Sequence, residues 1–414
     1  MSAARDGSPV ITDAERRAFL AHRHRLRPER RTDDVVEIVR SLVALHSSDP
    51  VTVYLSVLAR MRNPDIKAVD EALYESRSIV RHHAMRRTLW VTTPDMARTM
   101  HAAATRKVAG TERRKTVRFL AENGVEEPEA WLDSARDTVV ATLREHGPMT
   151  ARELGRRVPE LTRPLRLAPG KSYAATQAAH TRVLAGLGFD GVLVRGRPTG
   201  SWVNSQYTWS LMEDWVDGGL DGEDERTAAR DLARAWLARF GPGTTTDLQW
   251  WAGWTLGMTR RALEDCGAVQ VELNPGPGWA LPEDVRAPYD GSSPSEEASA
   301  PRVETGWVAL LPGLDPTVMG WKERGFYLPD EAAPAWDRNG NAGPTVWVDG
   351  RVVGAWAWTE DTEIRLHWFL DVPADRRAEV EERAREMRSW LGTTRFTVRF
   401  PGAVHASLMK KEGG

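Results

Sequence analysis

The chain has 414 residues, enough for two to four domains with separate cores. It is 41% hydrophobic and 28% charged, with a single cysteine, Cys266, and no apolar run long enough to span a bilayer. These values exclude an internal disulfide, a multi-cysteine zinc site and a membrane-spanning helix, and Cys266 reads as a small packing residue in a helix.

The net charge of −2 conceals a polarity. Residues 1–200 hold 34 Lys and Arg against 24 Asp and Glu, leaving 22 against 34 in residues 201–414. A basic front half points to a polyanionic partner, and the dominance of arginine suits bidentate phosphate contacts. A solvated surface with an uneven spread of charge is the plainer alternative.

In chain order, the polar start (MSAARDGSPVITDAERR) has no signal-peptide core, so the expected compartment is the cytoplasm. Residues 34–45 read as a helix, ended by His46. Asp49-Pro50 supplies an N-cap and first-turn proline for a second helix over 51–61. DIKAVDEALYES makes a third, and SIVRHHA and RRTLWVT alternate like the strands of a wing. A basic helical bridge follows at 101–130.

Two later segments repeat one plan. WLDSARDTVVATLREHGPMTARELGRRV leads to SYAATQAAHTRVLAGLGF and then to GVLVRG and SQYTWS. RDLARAWLARFGPGTTTDLQWWAGW leads to TLGMTRRALEDCGAVQVEL and GWALPED. In each, a helix stops at Gly-Pro (Gly147-Pro148, Gly241-Pro242) and the next begins at a Thr cap, Thr150 or Thr244. Helix, turn, helix, helix and hairpin is the winged-helix order. The expected architecture is therefore α+β, with winged helices at 10–100, 131–216 and 226–286. An acidic Ser/Pro/Glu-rich linker at 287–304 precedes a mostly antiparallel β-rich domain at 305–414, marked by an Asp349-Gly350 hairpin and a last strand in TRFTVRF.

Signatures for nucleotide hydrolysis, dinucleotide binding, zinc proteolysis and serine hydrolysis are missing. The blocks SLVALHSSDPVTVYLSVLAR, ALYESRSIVRHHAMRRTLWV and VALLPGLDPTVMGWKERGFYL resemble instead the winged-helix DNA glycosylases of the AlkZ/YcaQ type, over about residues 12–402. That resemblance implies three winged helices around a DNA duplex and release of bulky N-alkylated purines. It implies no cofactor and no metal, a monomer, no membrane, and a cytoplasmic, nucleoid-associated protein. It places Asp315-Pro316 near the site without a role. The family's loop carries Gln-x-Gln or Gln-x-Asp, whereas here those positions are His46 and Ser48.

An N7-alkylated guanine is already cationic, so its departure requires no general acid; a positioned water and stabilisation of an oxocarbenium-like transition state remain. A neutral imidazole at His46 can accept the water's proton, Ser48 can orient it, and Asp49 can offset developing positive charge. Simpler roles stand beside these: Asp49 as helix cap, His46 as a partner for helix-end carbonyls, and a binding module without catalysis. No lysine lies in the loop to form a Schiff base.

For DNA contact the candidates are Arg86 and Arg87 at the first wing, and Arg114 and Arg118 on one face of the bridge. Arg163, Lys171 and Arg182 lie in the second unit, with Arg195 and Arg197 at its wing tip. Lys322 and Arg324 follow Trp321. Trp250, Trp251 and Trp254 read as packing anchors, with base stacking as the alternative.

Overall fold

The computed structural model describes residues 8–168, 170, 174–285 and 306–409. Lys171 and the 287–304 linker lie outside these residues. Contacts group the chain into two compact units, one reaching Val69 and resuming at Ala229, the other Asp70–Ala228. Among the described residues, no helix is long and apolar enough to cross a membrane.

In the first unit, Thr12 opens the helix Asp13–Arg23 with a capping box to Glu15. The helix predicted at 34–45 is shorter, Val35–Ser41. Val43 adopts a left-handed φ of 59°, a costly conformation for a β-branched residue, and turns the chain out of the helix. His46 consequently lies in an extended segment, Leu45–His46, and not at a helix end. Asp49 then caps the wholly buried helix Pro50–Leu58.

The same unit holds the helices Thr245–Ala252 and Leu256–Asp265, and the ribbon Val269–Glu272 with Pro277–Ala280. Thr244 forms a capping box with Asp247. Cys266 is buried, its thiol pKa pushed up by burial. The C-terminal region is an antiparallel sheet in the order Val308–Leu311, Thr345–Val348, Arg351–Trp358, Ile364–Trp368. Asp349 and Gly350 both take positive φ, as a two-residue hairpin turn requires. The helix Ala374–Leu391 covers this sheet through Val380, Ala384, Met387 and Leu391. TRFTVRF contains no regular strand.

In the second unit, the buried hairpin Val80–His83 and Leu89–Thr92 is followed by the long helices Arg106–Glu122 and Pro128–His146. A third capping box, Thr150 with Glu153, starts Ala151–Arg157. The helix His180–Phe189 leads to the strands Leu193–Pro198 and Tyr207–Leu211, which form a sheet with Met149–Thr150. Val139, Leu143, Leu154, Val183, Leu187 and Leu193 fill the core. His83 stacks on Trp209 with centroids 5.8 Å apart and rings 4° from parallel.

Buried histidines give the fold a pH dependence. Burial, reinforced by the neighbouring His101, lowers His82 from 6.5 to about 3. Burial beside Arg60 lowers His24 from 6.5 to about 3. Below pH 6.5 the unfolded chain takes up protons that these folded histidines refuse, so stability is complete above that pH and drains away as pH falls toward 3. Each such histidine should cost about 2 kcal/mol at about pH 5. The urea midpoint of the full chain is expected to drop clearly between about pH 7.5 and about pH 5; a flat profile would rule this out.

Candidate active site and nucleic-acid surfaces

The loop His46-Ser47-Ser48-Asp49 connects the extended segment after Val43 to the helix Pro50–Leu58. His46 is 4% exposed and Ser47 1%, while Ser48 is half-buried. Asp49 is 3% exposed and both carboxylate oxygens are committed. Oδ1 accepts from Val51 N–H at 3.2 Å, capping the helix. Oδ2 accepts from the backbone N–H of Arg399 at 2.8 Å. Burial raises the Asp49 pKa, opposed by these two backbone bonds. The Arg399 guanidinium closes the arrangement by donating to the Ser48 carbonyl at 2.7 Å. Asp49 therefore acts on the loop's geometry, because its lone pairs face backbone amides.

Asp49 begins a polar seam that runs the length of the helix. Thr52 Oγ1 donates to the Gly313 carbonyl at 2.7 Å. Further along the same face, Arg60 donates to the Ser56 carbonyl at 2.7 Å and grips Asp315 bidentately at 2.9 and 2.8 Å. Arg60 and Asp315 are both 0% exposed. All five guanidinium donors are used: Nε on the His24 carbonyl, Nη1 on the Ser56 carbonyl and Asp315, Nη2 on Asp315 and Thr317 Oγ1. Burial pushes the Asp315 carboxyl up, but the Arg60 charge and hydrogen bonds from Arg60 and the Thr317 amide bring it below its ordinary value. Asp315 also caps the short helix Pro316–Met319.

Sequence reasoning missed Thr52, Ser56, Arg60 and Arg399, and gave Asp315 no role. A signal existed for the first three. Positions 49, 52, 56 and 60 are the polar ones on one helical face of an otherwise apolar stretch. Arg399, 350 residues away in sequence from Asp49, left no such mark.

The DNA candidates occur in both units. Arg86 and Arg87 form the hairpin tip, at left-handed φ values of 56° and 59°. Arg87 is exposed and 3.7 Å from Glu112. Arg114 donates to Thr111 Oγ1 on its own helix, and Arg118 pairs with Glu122. Arg163 holds the Gly124 carbonyl, and Arg182 lies 5.0 Å over the Phe119 ring. Arg195 and Arg197 sit within a strand and not at its tip, which is the loop 199–206. Arg195 packs over Trp209 at 5.1 Å; Arg197 pairs with Glu75 at 2.6 Å and Asp70 at 3.4 Å. A groove of about 950 Å³ in this unit is lined by Arg152, Arg156, His180, Arg195, Tyr207 and Trp209.

In the first unit Lys322 is exposed, and its backbone N–H, with that of Glu323, is fixed by Asp247 Oδ1 at 2.8 Å. Arg324 lies between Trp250 and Trp336, 5.3 and 5.6 Å from their centroids. Trp251 and Trp254 are buried, as packing anchors would be. Among the described residues, no cluster of three His, Cys, Asp or Glu side chains is placed to hold a metal.

A family model described as "DNA glycosylase AlkZ-like" matches residues 39–390. Among solved structures the chain is similar to the Streptomyces sahachiroi DNA glycosylase AlkZ, at a TM-score of 0.70 and 22% identity, covering 94% of this chain and 99% of that one. No curated protein matches.

The seam makes a stability prediction. Asp315→Asn strands the Arg60 charge in the interior and should cost about 3–5 kcal/mol in urea unfolding, whereas the double replacement Arg60→Met with Asp315→Leu should recover most of that loss. A cost below about 1 kcal/mol for Asp315→Asn would show that the pair is not the lock described.

Proposed function

Because the chain belongs to the AlkZ-like DNA glycosylase family, we propose that it is a monofunctional DNA glycosylase that hydrolyses the N-glycosidic bond of bulky N-alkylated purines in duplex DNA. Its role is then DNA repair or self-resistance to alkylating agents, as a cytoplasmic, nucleoid-associated monomer, since tandem winged helices need no partner copy to grip a duplex.

The observation that carries the reading is the anchored loop. His46 and Ser48 stand two apart at the mouth of a helix clamped by Asp49, Thr52 and Arg60. His46 accepts a proton from water as its oxygen bonds to the anomeric carbon, and Ser48 orients that water. The glycosidic electron pair moves onto the base nitrogen and cancels the positive charge of the alkylated ring. The products are a free base and an abasic site. Asp49 is a positioning residue in this scheme, since Val51 and Arg399 hold its oxygens.

The DNA grip is assigned to Arg86 and Arg87 at the hairpin tip, to Arg114, Arg118, Arg163, Lys171, Arg182, Arg195 and Arg197, and to Lys322 and Arg324. Exposed pairs such as Arg118 with Glu122 are weak enough for a phosphate to displace the carboxylate.

A second reading, a duplex-binding protein without catalysis, is favoured by the 4% exposure of His46 and by the loss of the family's amide or carboxylate from both loop positions. Incubation with N7-alkylated duplex DNA and mass analysis for freed base separates the two. Release by the wild type, with about a 10²-fold or greater loss in His46→Ala, is the expected result. Undiminished release by His46→Ala would remove His46 from the mechanism, and no release from any alkylated duplex would favour the second reading.

A further inference from the structure

The segment 393–400 carries a pattern that the loop chemistry does not use. Thr393, Arg395, Thr397 and Arg399 are exposed, while Thr394, Phe396, Val398 and Phe400 are buried or half-buried. This is the two-residue alternation of an extended chain lying on a core, although no strand pairs with it. Its inner face is fixed: the Trp358 indole donates to the Thr394 carbonyl at 2.8 Å and stacks on Phe396 with rings 13° apart. Arg395 and Arg399 are thus held about 13 Å apart along one edge, at roughly 3.3 Å per residue.

Their charges are available. Arg376, Arg377, Arg383, Arg385 and Arg388, on the preceding helix, each pair with a carboxylate. Neither Arg395 nor Arg399 is in an ion pair among the described residues. Arg399 spends one donor on the Ser48 carbonyl, leaving the rest of the guanidinium at the surface beside the His46–Asp49 loop. A spaced pair of fixed guanidinium groups outside any salt bridge, of which Arg399 also acts electrostatically on the buried Asp49, with a threonine hydroxyl between them suits the phosphates of an extended strand.

We propose that Arg395, Thr397 and Arg399 form a rail for the DNA sugar-phosphate backbone next to the His46–Asp49 loop, with Arg399 linking phosphate capture to the position of Ser48. This rests on the DNA-binding reading above and adds a site to it.

The test is the affinity of the full-length protein for an undamaged duplex, followed by fluorescence anisotropy between about 50 and 200 mM salt. Each phosphate contact contributes about 0.9 to the slope of log affinity against log salt. Arg395→Ala and Arg399→Ala should each flatten the slope by about 0.9, and the double variant by about 1.8, while Arg399→Lys keeps the wild-type slope. Circular dichroism confirms that each variant is folded. Slopes parallel to wild type in both alanine variants would overturn the rail while leaving the glycosylase reading intact. Slopes that flatten in a protein releasing no base would leave the rail standing and remove catalysis alone. A wild-type chain with no affinity for duplex DNA would overturn both.

Discussion

One helix face binds the front of the chain to its end. Asp49, Thr52 and Arg60 line a single stripe of the buried helix Pro50–Leu58 and its C-terminal extension, and each meets a group from residues 313–399. Leaving a buried polar group unpaired is costly: an unmatched donor costs about 1–3 kcal/mol and an unmatched charge more. The seam therefore fixes register as well as affinity, because any rotation or slide of the helix would strand several groups together. An apolar interface of the same area would allow such adjustment.

That constraint places the loop. Val43 turns the chain into the loop in a left-handed conformation unfavourable for its side chain. The helix that follows is locked by Arg60 and Asp315 at one end and by Asp49 and Arg399 at the other. The proposed reaction, in which a cationic base departs unaided, depends on placing one water, and a doubly anchored loop suits that task. The arginine-rich edge at 395–399 extends this economy, since the residue that fixes Ser48 also presents a cation to solvent.

The sequence was informative where structure is decided within a few residues. Asp49-Pro50, Thr150 and Thr244 start helices, because a cap and its amide are neighbours. Asp349-Gly350 makes its hairpin for the same local reason. Where a partner lies hundreds of residues away, nothing local announced it: Arg60 reads as the polar end of an apolar helix until Asp315 is beside it. The helix read over 34–45 overran because Leu42, Val43 and Ala44 keep an apolar helical pattern, and no residue there announces a positive φ. TRFTVRF showed the alternation of a strand and has it, but lacks a partner to pair with. Arg195 and Arg197 were read at a wing tip because Gly196 suggested a turn; the turn lies at 199–206 instead.

One carboxylate, that of Asp49, joins the loop to Arg399, 350 residues further along the chain. Hydrogen exchange followed by mass spectrometry on the peptide containing Arg399, in the wild type and in Asp49→Ala, addresses it most directly. The amide of Arg399 should be protected in the wild type and exchange at least about tenfold faster once Asp49 Oδ2 is removed, in a chain that remains folded. Equal exchange in the two proteins would mean that the clamp does not operate, and that the loop is held by something else.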